Sequence, residues 1–188
     1  MKRVELGISA SVFLAISVGR LDLNKNMETL IKGIKLIDNE KVQLIVCGDG
    51  EKLQALIKQV QENNLGKRIQ FLGSRTDMKD LYESSDCFAL ASYREGLSRS
   101  IMEAMACGLP CVVSKIRGNI DLIKNGVEGY LCDPKKPEDF AKAIGMLFEN
   151  PGETKEMSAN CINKAKKYDI YGIQGKLMDI YRNEMAFK

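Results

Sequence analysis

VFLAISV (Val12–Val18), GRLDLNK (Gly19–Lys25), NMETLIKGIKLID (Asn26–Asp38) and VQLIVCGDG (Val42–Gly50) alternate between two kinds of pattern. The first run is apolar without strict alternation, so it reads as a strand covered on both faces. Gly19-Arg20 ends it. Met27, Leu30, Ile31, Ile34 and Ile37 then recur at helical spacing, which predicts one buried helix face over Asn26–Asp38. Val42–Cys47 is a second strand of the same kind, stopped by Gly48-Asp49-Gly50. Two buried strands joined through a helix lie parallel, linked by a right-handed crossover.

The alternation continues along the chain. Helical spacing is read over Glu51–Asn63, Asp77–Ser84, Ser98–Cys107 and Pro137–Phe148, and over about 154–167 and 173–185. Short apolar runs at Ile69–Leu72, Cys87–Ala91, Cys111–Ser114 and Gly129–Cys132 read as strands. The predicted class is α/β, a Rossmann-like doubly wound parallel sheet with helices on both faces. A length of 188 residues suits one domain. Ligands of such folds sit beyond the carboxyl ends of the strands, so the turns after strands are where chemistry is expected.

Composition narrows the choice. The 28 basic and 25 acidic residues leave a net charge of +3, too balanced to argue for nucleic acid or a membrane surface as a partner. The chain has no histidine, which removes Ser-His-Asp and Cys-His schemes. Its six cysteines form no C-x-x-C pair and mostly sit in apolar runs, so they are expected to be buried thiols in a reducing, cytoplasmic setting. No metal site is expected. Met1–Gly7 leads only to a short apolar stretch, so neither a signal peptide nor a membrane span is read there.

Four turns stand out. Gly19 to Asn26 sends Arg20 and Lys25 away from one strand end just before a helix, an arrangement suited to adjacent phosphates or, equally, to a solvated loop. Gly48 and Gly50 permit close backbone approach. Gly73-Ser74-Arg75 follows the third strand. The fourth, EGLSRSIME (Glu95–Glu103) followed by AMACGLP (Ala104–Pro110), brackets seven residues with two glutamates. Ser98 is placed to cap the helix, leaving N–H groups around Ser98–Ser100 to face an anion. Glu103 lies among Ile101, Met102, Ala104 and Met105, where a carboxylate is disfavoured unless it meets donors. Ribose hydroxyls are suitable donors; the bland alternative is a solvent-facing position. Gly108-Leu109-Pro110 ends the helix.

The ordered set GRL…K, CGDGE, FLG, the glutamate pair with EAMACGLP, and GYLCDPKKPEDFAKAI resembles the C-terminal domain of family 4 retaining glycosyltransferases, which have the two-domain GT-B fold. The resemblance runs from about Leu6 to Tyr181. It implies that Arg20 and Lys25 hold the diphosphate of a nucleotide-sugar donor and stabilise its departing charge. It implies that Glu95 touches the donor sugar and Glu103 the ribose. Leu97, Ser98, Arg99 and Ser100 would then contact sugar and phosphate, and Gly19, Gly48, Gly50, Ser74 and Arg75 would line the nucleotide pocket. No metal is needed in such enzymes, because protein cations neutralise the leaving group. Ser98, Arg99 and Leu97 depart from the glycine, apolar residue and phenylalanine frequent at these places. The segment around EAMACGLP also looks like those of capsular and exopolysaccharide transferases.

The resemblance further implies a longer protein. Residues 1–8 would be the remnant of an interdomain linker, with Met1 a fragment start. Residues 169–188 would form a helix whose stripe of Ile173, Leu177, Ile180 and Tyr181 crosses to a missing N-terminal, acceptor-binding domain or packs on its own. The acceptor would be a saccharide or lipid-linked saccharide, reached at a membrane's inner face through that domain. The competing class is a stand-alone nucleotide-binding or regulatory module without transferase activity. A nicotinamide oxidoreductase lacks its G-x-G-x-x-G, and a P-loop kinase its GxxxxGK[ST].

Overall fold

The computed structural model describes residues 2–168. In chain order the elements are α1 (Lys2–Glu5), β1 (Phe13–Val18), α2 (Met27–Leu36), β2 (Val42–Cys47), α3 (Leu53–Glu62), β3 (Ile69–Gly73), α4 (Met78–Glu83) and β4 (Cys87–Leu90). There follow α5 (Arg99–Ala106), β5 (Cys111–Ser114), α6 (Asn119–Leu122), β6 (Gly129–Cys132), α7 (Pro137–Glu149), α8 (Pro151–Ala165) and a 3-10 turn at Lys166–Tyr168. The predicted C-terminal helix lies outside the described residues. So does its stripe.

All six strands lie in one parallel sheet of order β3-β2-β1-β4-β5-β6. The order reverses between β1 and β4, which makes their carboxyl ends the natural crevice of the fold. Side chains alternate across the sheet as the pleat requires. Phe13 and Ala15 join Leu30, Ile34, Leu56, Phe140 and Ile144 on one face. Leu14 and Ile16 join Leu81, Phe88, Ile101, Met105 and Leu122 on the other. Strands hydrophobic on both faces are thereby explained by helices on both faces. The helix at Arg99–Ala106 stops as its sequence predicts. Gly108 takes φ +77, Leu109 N–H donates to Ala104 O (2.9 Å) and Gly108 N–H to Met105 O (2.9 Å), closing the last turn.

Two short elements, α1 and α6, carry no apolar period and were not expected. α1 is pinned by Arg3, whose guanidinium donates to Ser84 O, Val12 O and Asp86 Oδ2 at 2.6–2.8 Å. Among the described residues no helix is long and apolar enough to cross a membrane. All six cysteines are free, and five are buried. Burial pushes the Cys47 thiol up to about 11 and Cys132 to about 12, so both stay protonated at neutral pH.

Candidate functional site

The turn after β1 is built on glycine contacts. A Cβ on Gly48 would lie 1.9 Å from Gly19 O, and one on Gly50 2.3 Å from Leu21 O. The backbone approach read from these glycines is therefore real, but its partner is the neighbouring turn. Gly19 N–H donates to Cys47 O (3.0 Å) and Leu21 N–H to Asp49 O (2.9 Å), which fixes the direction in which Arg20 leaves β1.

A second set of bonds ties this turn to the segment after β4. Asn26 takes a left-handed conformation, φ 50 and ψ 45, which asparagine tolerates better than most residues. Its Nδ2 donates to Ala91 O (3.0 Å) and Pro134 O (2.7 Å), while the Thr29 hydroxyl donates to its Oδ1 (3.0 Å). Tyr93 N–H donates to Asn24 O (2.8 Å), and Asn24 Nδ2 to Arg94 O (2.9 Å). The outcome is an ion pair between residues 70 positions apart, Lys25 Nζ to Glu95 Oε1 at 2.6 Å.

Above these turns is an open depression of about 440 Å³. Gly19, Arg20 and Lys25 form one wall. Glu95, Leu97 and the start of α5, with Ser98, Arg99 and Ser100, form the other, and Glu103 lies one turn further along that helix. Ser98 occupies the N-cap position, but its hydroxyl makes no cap bond; it lies 3.2 Å from the Ser100 hydroxyl. The expected side-chain cap is thus not formed, because the two serine hydroxyls pair with each other instead. The first N–H groups of α5 have no partner inside the helix.

Gly48, Gly50, Ser74 and Arg75 do not line the depression. The glycines serve the turn-to-turn contact. Arg75 is engaged elsewhere: its guanidinium forks onto Asp77 at 2.6 and 2.8 Å and reaches Glu5 at 3.3 Å, while Lys2 meets Asp77 at 2.7 Å. These cations hold the Asp77 carboxyl well below the usual carboxylate range, and the cluster anchors α1 to the turn after β3.

Glu103 projects from the exposed side of α5, whose buried residues are Ile101, Ala104 and Met105. Glu103 is thus at a solvent-facing position, the alternative that the sequence left open, and it has one protein donor: Tyr82 O–H donates to Glu103 Oε2 at 3.1 Å. Tyr82 is itself buried, and burial together with the Glu103 charge pushes its hydroxyl well above the ordinary range, so it remains a donor. Gly118 also escaped the sequence reading. It takes φ +89, and a Cβ there would lie 2.1 Å from Gly96 O and 2.8 Å from Glu95 O. The turn before α6 thus supports the backbone that carries Glu95. The only sequence signal was an isolated glycine after the β5 run.

The depression offers three cations (Arg20, Lys25 and Arg99), a helix start, and two carboxylates suited to hydroxyl groups. Known proteins of the same pattern carry names consistent with that chemistry. The family described as glycosyl transferases group 1 matches residues 2–168. The chain is 34% identical over 187 residues to UDP-Gal:alpha-D-GlcNAc-diphosphoundecaprenol alpha-1,3-galactosyltransferase of Escherichia coli, covering 96% of this chain and 48% of that one. It is 29% identical over 130 residues to N-acetyl-alpha-D-glucosaminyl L-malate synthase of Bacillus anthracis, covering 69% and 34%. The crystal structure of Anabaena HepE with UDP superposes with a TM-score of 0.92 at 28% identity, over 97% of this chain and 51% of that one. Its complex with UDP-glucose gives 0.91 at 29%, with the same coverage. The chain spans about half the length of the Escherichia coli and Anabaena proteins. Its sheet is one Rossmann-like half of a GT-B architecture. With the family pattern satisfied from residue 2 to residue 168 and a 34% identical relative along nearly the whole chain, it belongs to the group 1 glycosyl transferases.

Proposed function

We propose that the depression binds a nucleoside-diphosphate sugar, with UDP as the nucleotide, and that the chain is the donor-binding half of a retaining glycosyltransferase. The observation that carries this reading is convergence. Arg20 and Lys25 from one loop, the start of α5 from another, and Glu103 one turn along that helix line the same depression, a set suited to two phosphates and a ribose. The HepE complexes with UDP and UDP-glucose favour uridine and a hexose. The name of the Escherichia coli relative favours a lipid-linked saccharide acceptor, and we extend that to a role in cell-surface polysaccharide or glycolipid assembly.

In this reading Arg20 and Lys25 stabilise the charge that develops on the departing diphosphate, and the chemistry calls for no metal. Glu95 meets the sugar, and Glu103, held by Tyr82, meets the ribose hydroxyls. Transfer also needs an acceptor hydroxyl oriented beside the anomeric carbon with water excluded. Among the described residues the depression is open and has no such opposite wall, and in this reading the chain by itself binds the donor without transferring sugar.

Calorimetric titration with UDP, GDP, ADP and uridine tests the reading. UDP is expected to bind, with uridine far weaker. Absence of UDP binding, or equal affinity for UDP and uridine, would count against it.

A further inference from the structure

The Lys25–Glu95 ion pair occupies the place where, on the reading above, the diphosphate and sugar are held. At 2.6 Å, with side-chain exposures of 18% and 11%, it is largely shielded from water. Such a pair is a strong mutual claim, and neither partner is released without a substitute. A diphosphate is a substitute for Lys25, carrying more charge than one carboxylate. It is no substitute for Glu95, which is left without a donor. Sugar hydroxyls can supply that donor.

The backbone around the pair is braced, so the exchange falls to side chains. Lys25 N–H donates to Asp22 Oδ1 (3.0 Å), and the adjacent Asn26 side chain is fixed to two carbonyls. On the other side Arg94 O accepts from Asn24 (2.9 Å), and Glu95 O and Gly96 O lie against Gly118. Arg20, by contrast, makes no ion pair among the described residues, so it can meet the first phosphate without a competitor.

We propose that the Lys25–Glu95 pair is a donor-selective latch: the diphosphate takes Lys25 from Glu95, and the freed carboxylate accepts hydrogen bonds from the donor sugar. This rests on the assignment of the depression as a UDP-sugar site. The exchange makes Glu95 a specificity-determining residue that favours the intact donor over the nucleoside diphosphate left after transfer. Bare UDP breaks the pair and strands Glu95. The intact donor breaks the pair and satisfies it.

The test is calorimetric titration of UDP and UDP-glucose into the wild-type chain, Glu95→Gln, Lys25→Met and the double variant. Glu95→Gln is expected to bind UDP about five- to tenfold more tightly, the scale of a partly shielded ion pair no longer broken. Its affinity for UDP-glucose is expected to stay level or fall. In the Lys25→Met background the gain for UDP should vanish, because no pair remains to break. If wild type binds UDP and Glu95→Gln binds it equally or less well, the latch is overturned while the site stands. A gain that persists in the Lys25→Met background overturns it too, as plain charge repulsion. If the wild type binds neither UDP nor UDP-glucose, the site assignment fails and the latch with it. Thermal unfolding without ligand confirms that each variant is folded.

Discussion

Gly118→Ala should damage both stability and the site, and the structure gives the size of the effect. The new Cβ would lie 2.1 Å from Gly96 O and 2.8 Å from Glu95 O, both backbone atoms that cannot rotate away. Relief requires a displacement of about 1 Å, and the φ of +89 adds strain for any residue with a side chain. Strain of roughly 1–2 kcal/mol and a collision of similar size give a loss of about 2–4 kcal/mol. Gly126 is the control. It takes φ +78, yet a Cβ there meets nothing within 4 Å, so Gly126→Ala carries only the strain, about 1–2 kcal/mol. Urea unfolding of the two variants measures the difference. Because the displaced carbonyls belong to Gly96 and Glu95, Gly118→Ala should also weaken UDP-glucose binding while Gly126→Ala leaves it unchanged. Equal losses of stability and unchanged binding in both variants would refute the idea that Gly118 supports the Glu95 turn.

Arg20→Ala and Lys25→Ala should each weaken UDP binding by about 1–3 kcal/mol, the scale of a charged hydrogen bond, and leave uridine almost unaffected, as calorimetry will show. Glu103→Gln should weaken UDP much more than its 2′,3′-dideoxy analogue. Tyr82→Phe should show the same selectivity at about 0.5–1.5 kcal/mol, and equal loss for both ligands would make either residue structural. The anchor of α1 should be acid-resistant. The folded-state carboxyl of Asp77 is lowered by Arg75 and Lys2, so its contribution is complete above the unfolded value of about 3.9 and is lost as pH falls through the folded value. The stability difference between wild type and Asp77→Asn should therefore hold level from neutral pH to about 4 and shrink only in stronger acid.

The sheet was legible because each strand is a predominantly apolar run without strict alternation, and Val42–Cys47, Cys111–Ser114 and Gly129–Cys132 have the same bounds in sequence and structure. Helix ends were less so. α2 begins at Met27 because Asn26 turns left-handed to bond Ala91 and Pro134, a tertiary demand that periodicity does not report. α8 begins at Pro151, ahead of the apolar pattern that marked it from about 154, because proline suits a first turn. α6 has no apolar period of its own at four residues. Within the site, charge type and position after a strand pointed to Arg20, Lys25 and Glu95. Their mutual contact was not readable, since it depends on two turns stitched together across 70 residues. Tyr82 is core apart from its hydroxyl, and nothing in the sequence marked its contact with Glu103, which lies 21 residues on. Glycines at 48 and 50 signalled close approach correctly but could not say what approaches.

A crystal structure of the chain with UDP is the most direct measurement of where the nucleotide sits. It should show the diphosphate between Arg20, Lys25 and the start of α5, with the ribose hydroxyls on Glu103. The uridine on any other face of the molecule, or a diphosphate with no contact to Arg20 and Lys25, would contradict the assignment.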